Sequence, residues 1–106
     1  MDLHGKNFIA GQLSAGGDAT FSAVNPVTGE TLNPLFHEAT DSEIDQALGL
    51  AERDFESYRQ QPPGRIAEFL DQIADEILRL GDELLDRANA ETALPAPRLT
   101  SERGRT

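Results

Sequence analysis

Few side chains in this sequence could do chemistry. His4 and His37 are far apart, and no third ligand stands near either at metal spacing. They read as ordinary surface or hairpin histidines. Asp71, Asp75 and Glu76 crowd together, but a divalent site needs several oxygens converging from a loop. In a helical stretch they read as a solvated face. Arg98, Arg103 and Arg105 form a basic end that could hold a phosphate, and as helix residues they read as salt-bridge partners. The chain has no cysteine, which excludes disulfides, thiolate metal sites and a thiolate nucleophile within it. It also has no G-x-G-x-x-G turn to cradle a dinucleotide. The reading of site residues is therefore catalytic none, cofactor-binding none and metal none.

Elements able to position a site are easier to find. Residues 7–37 read as short strands, with Asn7–Leu13 a brief extended run and Ser14–Asp18 a loop. Phe21–Val24 leads into Asn25-Pro26-Val27-Thr28-Gly29-Glu30, where Pro26 sets φ and Gly29 supplies φ > 0. Thr31 and Leu32 then resume an extended chain, so the stretch predicts a β-hairpin with a four-residue loop. An isolated hairpin is marginal in water and must lie against something else.

Residues 41–60 predict a helix. Thr40 and Glu43 make a T-x-x-E capping box, and Ile44, Ala47, Leu48, Ala51, Phe55 and Tyr58 recur every three or four residues. Pro62-Pro63 stops it. A second amphipathic helix, 64–80, carries Ile66, Phe69, Leu70, Ile73, Ile77 and Leu80, with Asp75 and Arg79 as an i,i+4 pair. Gly81 ends or kinks it. Asp82 starts a third helix, 82–92, through Leu84, Leu85 and Ala88. Residues 96–106 open a further helix for which no closing signal follows, so the sequence is expected to continue.

The 106 residues suffice for one small domain, are 38% hydrophobic and carry a net charge of −10. Residues 41–97 hold 14 acidic and 5 basic side chains. That acidic middle argues against nucleic acid, which needs basic surface against phosphate. No apolar run approaches the ~20 residues of a membrane span. Met1–Lys6 lacks the basic head and apolar stretch of a secretory signal. Without signal or cysteine, the cytoplasm is the expected compartment.

The same residues, taken in order, resemble the aldehyde dehydrogenase superfamily. The likeness runs from about residue 5 to 106. It begins with Gly5-Lys6-Asn7-Phe8-Ile9-Ala10-Gly11 and continues through the N-P-x-T-G-E hairpin at Asn25–Glu30. The helix start Ala39–Ala47 follows, then Arg65–Leu70, Ile73–Ile77, Leu80–Leu84, and Glu91-Thr92 before Leu94-Pro95. Arg98-Leu99 and Glu102–Thr106 look like the branch of 2,5-dioxopentanoate (α-ketoglutarate semialdehyde) and fatty-aldehyde dehydrogenases. Three positions depart from the pattern: Leu13 where Trp is common, Ala93 where Gly is usual, and Pro97 where a helix-friendly residue is usual. If position 93 stays left-handed, Ala there costs roughly 1 kcal/mol against Gly.

The resemblance implies an α/β parent fold, of which residues 1–106 are the N-terminal part of the cofactor-binding domain: a β-hairpin followed by about three amphipathic helices. It implies NAD or NADP in the parent enzyme and none bound by this segment alone. The partners are then the remainder of the dehydrogenase chain and, for the parent, a homo-oligomer. The catalytic Cys, the Glu base, the Asn oxyanion donor and the Gly-rich turn of the family all lie downstream. Some members bind a monovalent cation near the residue matching Val24. The other ligand there matches Glu102–Arg105, which is largely basic, so the site is not carried over. The segment alone is expected to be inactive and poorly stable, its helix stripes leaning on a sheet supplied by later sequence. The alternative is an acidic helical protein-binding module without catalysis.

Overall fold

A computed structural model describes residues 2–106. It contains two small antiparallel strand pairs and four helices: β1 (Asn7–Ile9), β2 (Gln12–Ser14), β3 (Thr20–Val24), β4 (Thr31–His37), α1 (Asp41–Arg59), α2 (Pro63–Arg79), α3 (Gly81–Thr92) and α4 (Ala96–Gly104). The residues form two compact units. One comprises 2–22 and 33–61, the other 23–32 and 62–106.

In the first unit, the run expected to be simply extended folds back on itself. Phe8 pairs with Leu13 and Asn7 with Ser14. The reversal sits at Ala10-Gly11, whose φ values are 54° and 74°. Positive φ at both central residues is the two-residue hairpin geometry, normally signalled by Asn-Gly. Ala-Gly lacks that signal, which is why the turn is illegible in the sequence. Ser14 consequently ends a strand instead of opening the loop. Gly5, at φ 62°, lies so close to β4 that a Cβ would sit 1.9 Å from the Leu35 carbonyl oxygen. Its own carbonyl accepts from the His37 amide at 2.9 Å. Phe21 stacks on Phe36 across the β3–β4 pair with centroids 5.5 Å apart. Ile9 is buried on β1, a strand that contacts α1.

In the second unit, the hairpin tip is organised by Asn25. Its side-chain oxygen accepts from the amides of Val27 and Thr28 at 2.9 and 3.2 Å, an Asx-type turn. Its backbone bonds to Glu30, and Gly29, at φ 75°, donates back to the Asn25 carbonyl. Pro63 is the first residue of α2, where its missing N–H costs no helical bond. The helix therefore starts one residue before the expected 64. Gly81 breaks α2 from α3 with φ 62°. Ala93 caps α3 in the left-handed region, φ 58°, ψ 12°, its amide on the Asn89 carbonyl at 2.8 Å. Pro97 falls in the first turn of α4, where its lack of an amide is equally harmless. That helix closes at Gly104, short of the expected 106. The expected Asp75–Arg79 pair is replaced by Arg79 to Glu76 at 2.5 Å, the i,i+3 neighbour. Both spacings place a carboxylate within reach of the guanidinium. Leu99 is buried, in a helix that contacts α3.

Ile9 and Leu99 are the buried hydrophobic residues among those described. α2 has no buried residue. Its face carries Phe69, 52% exposed, together with Leu70 and Ile73, and Leu80 follows at its C-terminal cap. No helix of the described residues is long and apolar enough to cross a membrane.

Candidate functional site

The most organised polar cluster surrounds Glu43. The residue caps the N-terminus of α1, and its burial exceeds what a surface capping box requires. It is 7% exposed and is the buried charged residue of the described chain. Thr40 and Glu43 form the reciprocal box: the Glu43 amide donates to Thr40 Oγ1 at 3.2 Å, and the Thr40 amide donates to Glu43 Oε2 at 2.8 Å. Two further donors arrive from the β2 end. Ser14 Oγ donates to Glu43 Oε1, and the Gly16 amide donates to the same oxygen at 3.1 Å. Both carboxylate oxygens are thus engaged.

These bonds favour the ionised carboxylate. The Ser14 hydroxyl contributes most, followed by the backbone amides of Thr40 and Gly16, and the pKa is lowered from 4.5 to about 2. A general base works best with a pKa near the operating pH. An oxygen pair held ionised and already filled with donors removes no proton from a substrate. Nor is Ser14 activated, since the group beside it accepts its proton in a hydrogen bond but is far too weak a base to take it. The cluster is a clamp: it ties the strand end at Ser14 and the following glycines to the start of α1.

Glycines surround this clamp for steric reasons. A Cβ on Gly17 would lie 2.4 Å from the Glu38 carbonyl oxygen, and one on Gly16 would press on Glu43 at 3.1 Å. Sequence reasoning identified the Thr40–Glu43 box but missed Ser14 and Gly16. They stand 29 and 27 positions from Glu43, and nothing in their local pattern marks them as its partners.

The other candidates are occupied by local structure. His4 Nδ1 accepts from the Lys6 amide at 3.1 Å, and its ring meets Phe8 edge-on. His37 Nδ1 lies 3.2 Å from the Gly17 carbonyl, and its own carbonyl accepts from Asn7 at 3.1 Å. Glu76 is held by Arg79 and by Gln72. Among the described residues, no group of three or more His, Cys, Asp or Glu could hold a metal ion. Of the three arginines near the end, Arg98 and Arg105 both reach Glu102, at 2.6 and 3.5 Å. Arg103 donates to the Gly81 carbonyl at 3.0 Å and lies 3.9 Å from Asp82. The basic end thus ties α4 to the start of α3 and presents no shared anion cradle.

Comparison with known proteins places the chain in a family. The aldehyde dehydrogenase family profile matches residues 13–105. The chain is 45% identical over 107 aligned positions to "Alpha-ketoglutaric semialdehyde dehydrogenase 2" of Azospirillum brasilense, covering 100% of this chain and 20% of that protein. It is 39% identical over 102 positions to "Alpha-ketoglutaric semialdehyde dehydrogenase" of Acinetobacter baylyi (strain ATCC 33305 / BD413 / ADP1), covering 96% of this chain and 19% of that protein. The matching region is the N-terminal part of such enzymes, and the chain spans about a fifth of the length of these relatives. No solved structure matches. Nothing in these comparisons favours an acidic docking module. The chain belongs to the aldehyde dehydrogenase family.

Proposed function

We propose that residues 1–106 are the N-terminal scaffold of the cofactor-binding domain of an NAD(P)-dependent aldehyde dehydrogenase with an α/β fold. The whole enzyme oxidises an aldehyde to a carboxylate, with 2,5-dioxopentanoate the substrate suggested by the relatives' names. The segment alone is inactive. The thiolate nucleophile, the Glu that activates water and the Asn oxyanion donor come from sequence outside it. It holds no part of the dinucleotide. The Ser14 hydroxyl and the Gly16 and Thr40 amides are directed at Glu43, so this cluster does not serve a phosphate. The whole enzyme is cytoplasmic and homo-oligomeric on this reading.

One observation carries the proposal: α1 and α2 have apolar residues at regular helical spacing whose large side chains stay substantially exposed. Phe69 and Leu70 on α2 and Leu48 and Phe55 on α1 are each more than half exposed. A stripe at helical spacing gains about 25 cal/mol for each Å² removed from water, and much of that gain is outstanding while its side chains are half exposed. Such faces belong to protein that packs on further protein.

Three measurements test it. The purified chain, mixed with NAD+ or NADP+ and 2,5-dioxopentanoate, should produce no reduced nicotinamide above the buffer rate. Turnover near 1 per second, an ordinary enzyme rate of about that order, would overturn the scaffold reading. Conversely, residues 1–106 substituted for the matching fifth of the Azospirillum enzyme should retain activity within about tenfold, a barrier change of about 1.4 kcal/mol. A soluble graft with no activity would count against it. So would a sharp two-state melt of the isolated chain.

A further inference from the structure

The last two helices end in different ways. α3 is closed by Ala93 in the left-handed region, φ 58°, ψ 12°, a conformation through which a helix does not continue. At the end of α4, Arg105 keeps helical angles, φ −88°, ψ −10°. Its amide donates to the Glu102 carbonyl at 3.1 Å, and the Thr106 amide donates to the Arg103 carbonyl at 3.3 Å. The turn is tightened there without being reversed.

Arg103 fixes the direction in which α4 points. Its guanidinium donates to the Gly81 carbonyl at 3.0 Å, so the end of α4 lies beside the break between α2 and α3. α4 thus runs back along α3, which it contacts, and a chain prolonged on the same axis passes over the end of α2. A groove opens at that place, within the second unit. Ile77 of α2 and Leu84 and Leu85 of α3 form one side of it, and Leu99, Glu102, Arg103 and Thr106 form the other. The α4 side follows helical spacing, so the next positions on the same face fall roughly three, four and seven residues beyond Thr106. The charged members of the wall are already engaged, Arg103 with Gly81 and Glu102 with Arg98 and Arg105. What remains to be filled is aliphatic, and it suits apolar side chains.

We propose that the segment of the enzyme directly following Thr106 continues α4 as one helix and seats apolar side chains, at those positions, in the groove over Ile77, Leu84 and Leu85. The Azospirillum relative matches this chain over 20% of its own length, in its N-terminal part, so an enzyme of that size has sequence in place to fill the groove. The inference rests on the scaffold reading and names the segment that covers one of its surfaces.

The test is a cysteine scan in the full-length graft. Ile77→Cys is paired in turn with a cysteine at each of about eight positions after Thr106, roughly two helical turns. Disulfides formed under mild oxidation are read by peptide mass spectrometry. A link needs Cβ atoms within about 3.5–4.5 Å of each other. Linking should therefore peak at the groove-facing positions, with a yield at least about tenfold lower on the opposite side of the helix. Leu85→Cys replaces Ile77→Cys in the scan should the latter give insoluble protein. No link, links without helical periodicity, links joining two chains, or links to another part of the enzyme would each overturn the proposal. Activity of the reduced graft reads the scaffold proposal separately. An active graft without the periodic pattern sinks only the continued helix, and an inactive graft that shows the pattern counts against the scaffold reading alone.

Discussion

The surroundings of Glu43 and the face of α2 are built on opposite terms. Around Glu43 the polar groups are satisfied within the chain: a buried carboxylate meets Ser14, Gly16 and Thr40. Along α2 no residue is fully buried, and Leu70 and Leu78 are more than half exposed. Hydrogen bonds are directional and short, so three donors and a carboxylate brought together by nearby elements can complete one another. Hydrophobic stabilisation scales with area removed from water and needs a second surface of comparable size. A segment can therefore complete its capping and turns locally while its apolar faces stay only partly buried.

The contrast is most exposed to challenge at Ile73. In the isolated chain, Ile73→Ala should lower stability by less than about 1 kcal/mol, because the side chain is already partly in water. In the grafted enzyme the same change should cost about 2–5 kcal/mol, the usual price of a core truncation. Denaturant titration of both proteins gives the comparison. Equal, small effects would mean that α2 stays bare in the enzyme.

Gly5→Ala attacks the finished side. It places a Cβ against the Leu35 carbonyl at a residue with φ 62°, combining left-handed strain with overpacking, together about 2–4 kcal/mol. Hydrogen exchange at the His37 amide, which bonds to the Gly5 carbonyl, should speed up accordingly. Unchanged protection there would show that the contact is not maintained.

Acid should loosen the Glu43 clamp before it affects the apolar face. The folded pKa is about 2, below the ordinary 4.5. The contribution of this carboxylate is thus fully present above pH 4.5 and is lost as pH falls through about 2. Exchange at the Gly16 and Thr40 amides should rise across that window. Glu43→Gln, which cannot ionise, should flatten the profile and leave those amides poorly protected at neutral pH. A Gln variant that keeps the acid transition at these amides would assign the transition to another group.

The smallest effect expected is a gain. Ala93→Gly relieves a left-handed alanine at the end of α3, partly offset by the freer unfolded chain, and should stabilise by about 0.5–1 kcal/mol. A loss on this substitution would mean that the cap tolerates Cβ without strain.

What could be read without coordinates was local. The Thr40–Glu43 box, the helical periods of α1 and α2, the Asn25–Glu30 turn, the break at Gly81 and the absence of a thiol nucleophile all depend on residues within a few positions of one another or on composition alone. Interactions at i+3 and i+4 repeat with the helix itself, so spacing reveals them. Even locally, near-equivalent choices escaped: Arg79 takes Glu76 over Asp75, since both carboxylates lie within its reach. Tertiary structure alone decided that the chain reverses at Ala10-Gly11, that Ser14 and Gly16 reach Glu43, and that Glu43 is buried while Leu48 stays 65% exposed. Those outcomes depend on where distant segments come to lie once the chain has turned, and a carboxylate does not encode in its neighbours which remote hydroxyl and amide will complete it.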